Sequence, residues 1–198
     1  MIPIRTLKNA ALAATIFFAF TLTAAAQQPS TVDTNYDVTL QLVIGSNEAG
    51  SKNDMPADLT QVSKQIRSSF DFSGYRVAST FFGRIATNGN FDYNSVASIE
   101  GKDLSSSVPT FLDWSLRDLH AAPGSRGLQA GSFRFGARVP VVVGDLSKGQ
   151  QGVNYESLGV SLNRVGLNEN TPTLIGTLHL PGTTGTIFLV MTIRPTQN

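Results

Sequence analysis

Along most of this chain apolar and polar residues alternate, and the alternation is broken once by a helical stripe. "NYDVTLQLVIG" places Tyr36, Val38, Leu40, Leu42 and Ile44 on one face and Asp37, Thr39 and Gln41 on the other, the period of a half-buried strand. A loop rich in Gly and Asn follows. Asp54 then stands where a helix cap belongs, with Pro56 near the first turn. Leu59, Val62, Ile66 and Phe70 form one helical stripe. Period two resumes in "YRVASTFFGRIA" with Tyr75, Val77, Phe81 and Ile85 on one face, and "TNGN" over 87–90 signals a hairpin into "FDYNSVASIEG". The first half thus reads β-α-β-β, with its first two strands parallel if they share a sheet.

The second half reads as strands throughout. "TFLDWSLRDL" has Leu112, Trp114 and Leu116 at strand spacing and Leu112, Leu116 and Leu119 at helical spacing; its aromatics and flanking turn residues favour the strand. "HAAPGSRGLQAG" reads as a loop opened by His120. In "GSFRFGARVPVVVGD", Phe133 and Phe135 alternate with Arg134 and Arg138, and the run Val139–Val143 then reads as entering a covered region. Pro140 interrupts that run and marks an edge or a bulge, because it donates no ladder hydrogen bond. "VNYESLGVSLNRVGL" alternates Leu158, Val160 and Leu162. "TLIGTLHL" and "TIFLVMTIRP", joined by "PGTTG", form a hairpin whose last strand is apolar on both faces and therefore central. The fold class expected is α+β, mostly β: a β-α-β-β unit over 35–104, then an antiparallel β-rich unit over 105–198 that ends in a hairpin. The boundary falls near 100–108, unless the two units form one continuous domain.

The first residues do not fit this pattern. Arg5 and Lys8 precede an apolar run from Ala10 to about Ala26, and Ala24 and Ala26 satisfy a small-x-small cleavage pattern. Residues 1–26 read as a secretory signal peptide, and 27–34 as a flexible polar leader. The competing membrane anchor would want about 20 strongly apolar residues, whereas this run contains Thr15, Thr21 and Thr23. Cleavage leaves no transmembrane segment and places the chain outside the inner membrane, periplasmic or secreted. Loss of Arg5 and Lys8 lowers the basic count from 15 to 13 against 14 acidic residues, a balance near −1. No basic surplus remains to displace counterions, so nucleic acid is not an expected partner. Cysteine is absent; with no Asn-x-Ser/Thr acceptor either, the chain suits a bacterial envelope better than a eukaryotic secretory route.

Candidate chemistry is sparse. His120 and His179 lack local companions at metal or triad spacing. "GVSLN" over 159–163 departs from a nucleophile elbow at Asn163 and continues as strand. The glycines after the first strand lack both phosphate-loop patterns. Asp113 and Asp118 flank Trp114, but at strand spacing they point to opposite faces. No catalytic, metal or cofactor-binding residue is assigned and no cofactor is expected. Trp114 is the one speculative ligand contact, with loop aromatics such as Phe91 and Tyr93 assisting it.

The strand around Pro140 and the one that follows carry a resemblance. Phe133, Gly136, Val139 and Pro140 match an aromatic-x-x-Gly-x-x-[Val/Ile]-Pro strand. Tyr155, Gly159, Val160 and Leu162 match the strand that pairs with it in the β-domain of secretins, the outer-membrane channel proteins of type II secretion and type IV pilus systems. "YDVTLQLVIGSNE" is also similar to the strand that enters that domain. The chain departs after Leu162, where "NRVGLNENTPTL" replaces Val-x-Pro-x-Ile, and the membrane-spanning hairpins have no counterpart. The resemblance therefore implies a β-module that stays soluble or adds strands to a neighbour. The function expected is non-enzymatic: a structural or interaction protein of the bacterial envelope, with protein partners there, accessory to a secretion or pilus-like system. The alternative is a periplasmic or secreted module binding a small molecule or glycan.

Overall fold

In the computed structural model, residues 34–49, 51, 53–97, 108–124, 127–145, 150–179 and 185–196 are described. The signal peptide, all of the leader but Thr34, nearly all of the expected boundary near 100–108 and most of "PGTTG" lie outside them. The strands are β1 (Asn35–Ser46), β2 (Gly74–Ala86), β3 (Asn90–Ala97), β4 (Thr110–Ala121), β5 (Leu128–Asp145), β6 (Gln150–Leu167), β7 (Thr173–His179) and β8 (Thr186–Pro195). Among the described residues one α-helix, α1 (Thr60–Ser69), follows a 3-10 turn over Ala57–Leu59. The class is α+β and mostly β.

Two four-stranded antiparallel sheets carry these strands, the first in the order β2-β1-β8-β7 and the second in the order β3-β4-β5-β6. Each sheet draws on both halves of the sequence, since β8 pairs with β1, and β3 pairs with β4. The main core lies between the sheets: Val38, Leu40, Leu42, Ile187, Leu189 and Met191 from the first meet Leu112, Trp114, Leu116, Phe133 and Phe135 from the second. Each large side chain buried there stabilises the fold by roughly 1.5–3 kcal/mol. The first sheet is covered on its other face as well, where Leu59, Val62 and Ile66 pack on Val43, Tyr75, Phe188 and Val190. That double coverage explains why β8 is apolar at every position from Ile187 to Val190, and it sits inside the sheet, flanked by β1 and β7.

Four expectations are corrected. The first two strands are antiparallel, because Ser46 pairs with Gly74 and the connection carrying α1 leaves and re-enters the sheet at the same end. "TNGN" does not close a hairpin ladder; it hands the chain from β2 in the first sheet to β3 in the second. Asn88 takes the left-handed φ of 60° there, and its N–H donates to the Leu119 carbonyl. Asp54 does not cap the helix: its N–H donates to the Tyr75 carbonyl, and neither the 3-10 turn nor α1 has a side-chain cap. Finally, β2 does not keep one apolar face. Its register against β1 shifts between Leu42 and Val43, so Tyr75 and Val77 face the helix while Ala78, Phe81 and Ile85 face the other sheet.

A second irregularity crosses the second sheet. Asp118 (φ 53°) and Arg164 (φ 56°) are left-handed and flank Gly131, and all three drop out of the strand registers. The inward phase changes at this row: Leu112, Trp114 and Leu116 point inward before it and Leu119 after it.

Candidate functional site

The residues that carry the secretin-like pattern meet on one ladder. Between β5 and β6, Phe133 faces Leu162, Gly136 faces Gly159, and Pro140 faces Tyr155; Val139 lies opposite Glu156, and Val160 opposite Phe135. Phe133 and Val139 point into the core, while Tyr155 and Gly159 are exposed and Val160 and Leu162 are half-buried. Gly159 is demanded by close approach, since a Cβ there would stand 2.7 Å from the Phe135 carbonyl oxygen.

Pro140 stands where one partner strand runs out. β4 follows β5 only as far as the Phe111–Arg138 pair, and beyond it β5 is paired with β6 alone. The missing N–H of Pro140 therefore costs no ladder bond on the side β4 has left. The expected covered region is corrected here. Val139 is buried, but Val143 is 46% exposed and its neighbour strand exposes Val153, because the ribbon overhangs the sheet that would have covered it. At the root of the overhang Tyr155 donates its hydroxyl to the Pro109 carbonyl and lies 5.6 Å from the Phe111 ring, which Arg138 covers on another side.

β6 forms one edge of its sheet for 18 residues. Its inward side chains Leu158, Val160 and Leu162 are only half-buried, whereas Phe133, Phe135 and Ala137 on β5 are 2% exposed or less. The core is thus incompletely covered along this edge. On the outward face, Asp113, Arg134, Arg138, Ser157 and Ser161 surround the Gly136–Gly159 pair in a shallow open groove of about 700 Å³. Nothing in the alternation of the sequence distinguished Arg134 and Ser157 from ordinary solvent-facing residues.

The remaining candidates take different places. Trp114 is 2% exposed and packs against Phe91, Tyr93 and Phe133 with ring centroids 4.7, 6.0 and 6.5 Å away, so its reading as a ligand contact is corrected to a core residue. Its Nε1 is buried without a hydrogen-bond partner. Asp113 and Asp118 are both exposed, because the left-handed Asp118 interrupts the alternation that would have turned its side chain inward. His120 belongs to β4 rather than to a loop, and it has companions: the Asp118 carboxylate at 3.6 Å and the Gln129 side chain at 3.3 Å. His179 is exposed on β7. Tyr36 donates its hydroxyl to Glu169, and burial, then the Glu169 charge, push its pKa above the ordinary 10.0. Among the described residues, no group of three or more His, Asp or Glu side chains is placed to hold a metal ion, and no helix is long and apolar enough to cross a membrane.

No protein-family model matches the chain, and no curated protein matches it. Among solved structures it is similar to the type II secretin GspD of enteropathogenic Escherichia coli, at 11% identity and a TM-score of 0.43, over 100% of this chain and 76% of that one. It is also similar to a chain of the Klebsiella pneumoniae type II secretion outer membrane complex of PulD, PulS and PulC, at 9% identity and a TM-score of 0.36, over 84% of this chain and 39% of that one. The Salmonella type III injectisome secretin InvG is similar at 11% identity and a TM-score of 0.34, over 96% of this chain and 66% of that one. Two of these three structures are secretins and the third is a type II secretion outer membrane complex, all at low identity.

Proposed function

We propose that this protein is a non-enzymatic structural module of the bacterial envelope, accessory to a secretion or pilus-like machine, and that it works by joining sheet edges to protein partners. The observation that carries this reading is the β6 edge. Natural sheets guard long edges with Lys, Pro, bulges or very short strands. From Ser157 to Asn163, β6 has no charge and no proline, and its inward side chains are half-covered. Such an edge accepts main-chain hydrogen bonds from an added strand, with side-chain pockets alternating along it. The secretin-like residues on the same ladder support the choice of machine. Export across the inner membrane, with the chain periplasmic or secreted, follows from the signal-like leader.

The test is affinity purification of the full chain, expressed with its own leader, from cross-linked envelopes. The reading expects secretion or pilus components enriched over a β6 variant carrying Ser161→Pro, which leaves the β5 side of the ladder intact. Equal recovery with both chains, or no such component with either, sinks it. The glycan-binding alternative loses its main support with the burial of Trp114.

A further inference from the structure

We infer that the outward face of the second sheet binds an extended acidic peptide, which sets two carboxylates four residues apart on Arg134 and Arg138. This goes beyond the reading of the β6 edge, because the surface is the face of the sheet and not its rim.

Three aligned rows build the site. Arg134 lies opposite Ser161 and Arg138 opposite Ser157, and between them Gly136 lies opposite Gly159. The glycines make the floor bare backbone between two arginine–serine walls. On β4 the middle row ends at Asp113, which pairs with Gly136. Its carboxyl group leans over that glycine, 2.7–3.0 Å from where a Cβ would stand. Both arginines are exposed and neither is in an ion pair; the pairs among the described residues are Arg84–Asp37, Arg117–Asp92 and His120–Asp118. Arg138 lies 4.9 Å from the centre of the Phe111 ring, a contact that steadies its guanidinium and takes up none of its N–H groups.

An unpaired guanidinium offers a planar fork of donors that fits a carboxylate. Arg134 and Arg138 stand four residues apart on one face of β5, roughly 13 Å along the strand. Acidic residues at that spacing on an extended peptide share a face and have the same separation. On a helix, residues four apart are only about 6 Å apart along the axis, too close to match the two arginines. The peptide residue midway between the acids meets the glycine floor and the Asp113 carboxylate. It must therefore be small and carry a donor, as Ser does. A sugar acid fits less well, because the aromatic ring on the third row, Phe111, is already covered by Arg138 and Tyr155 and offers no open face for a sugar to stack on.

Fluorescence anisotropy with the full chain tests this. The probe is a labelled peptide with Glu at its first and fifth positions, Ser at the third and Thr at the second and fourth. Saturable binding is expected, weakened about five- to tenfold by Arg134→Gln and by Arg138→Gln, and falling as salt is raised. Moving the second Glu to the fourth position turns it to the other face and should cost as much. Arg134→Glu and Arg138→Glu together should abolish binding of this peptide and admit one with Lys in place of both Glu, which separates loss of the site from loss of the fold. No saturable binding, equal affinity for the two Glu spacings, or binding that survives both glutamine substitutions overturns the inference. So does a uronic-acid oligosaccharide that binds where the peptide does not. A chain that binds the peptide and recovers no secretion or pilus component keeps this site and removes the proposed function; recovery of those components without peptide binding does the reverse.

Discussion

Two glycines face each other on the β5–β6 ladder, and alanine should be tolerated at one and not at the other. At Gly159 a Cβ would come within 2.7 Å of the Phe135 backbone oxygen, with the Gly136 Cα at 3.5 Å. Neither can step aside without moving β5, whose side chains are packed into the core. Overpacking against fixed backbone costs about 1–3 kcal/mol. At Gly136 the Cβ would meet only the Asp113 carboxylate, at 2.7–3.0 Å, and that side chain is exposed and free to rotate. Gly136→Ala should then be near neutral, helped by about 0.4–1 kcal/mol from the stiffer unfolded chain. The assay is urea unfolding followed by the fluorescence of Trp114, the only tryptophan, whose buried position makes it a reporter of the whole core. With m of about 2 kcal/mol/M, Gly159→Ala should lower the midpoint by roughly 0.5–1.5 M, while Gly136→Ala leaves it within about 0.5 M. Equal shifts, or the larger loss at Gly136, would refute the assignment of the constraint to the Phe135 carbonyl.

Trp114→Ala should cost about 3–5 kcal/mol by cavity formation, whereas Trp114→Phe, which keeps an aromatic and removes the orphaned Nε1–H, should cost much less; circular dichroism melts would separate the two. Amides of Ile187–Ile193 should exchange only through global unfolding, since this stretch is buried inside the first sheet, and fast exchange there would contradict the strand order β2-β1-β8-β7. Tyr36 has a folded pKa raised above 10.0, first by burial and then by Glu169, so its contribution to stability is present below that pH and lost as pH rises through the folded value. Stability measured between pH 9 and 12 should fall less steeply in Tyr36→Phe, and an unchanged slope would count against the burial and Glu169 account. Asp118→Val, which puts a β-branched residue at φ 53°, should cost about 2 kcal/mol in urea melts.

The strands were legible because alternation is local. Tyr36 to Ile44, Phe133 with Phe135, and Leu158 to Leu162 each state a period of two within a few residues, and the continuous run in β8 states a strand covered on both faces. The helix stripe was equally plain, and so was an edge or a bulge at Pro140, since a missing N–H is a property of the residue itself. What the sequence left open was set by contacts between distant segments. Whether β1 and β2 run parallel depended on which end of the sheet the α1 connection returns to, which Ser46 meeting Gly74 decided. The destination of "TNGN" depended on distant partners in the second sheet, where the Leu119 carbonyl accepts from the Asn88 N–H and the Asp118 N–H donates to the Gly89 carbonyl. The inward phase of β4 was reset by a left-handed Asp118 whose neighbour is Gly131, a pairing no local pattern announces. Trp114 read first as a core residue in line with Leu112 and Leu116 and only speculatively as a ligand contact, and the packing of Phe91, Tyr93 and Phe133 around it puts it in the core. The edge of β6 arises the same way: composition says a strand is apolar, but only the absence of a neighbour in the sheet makes it an edge.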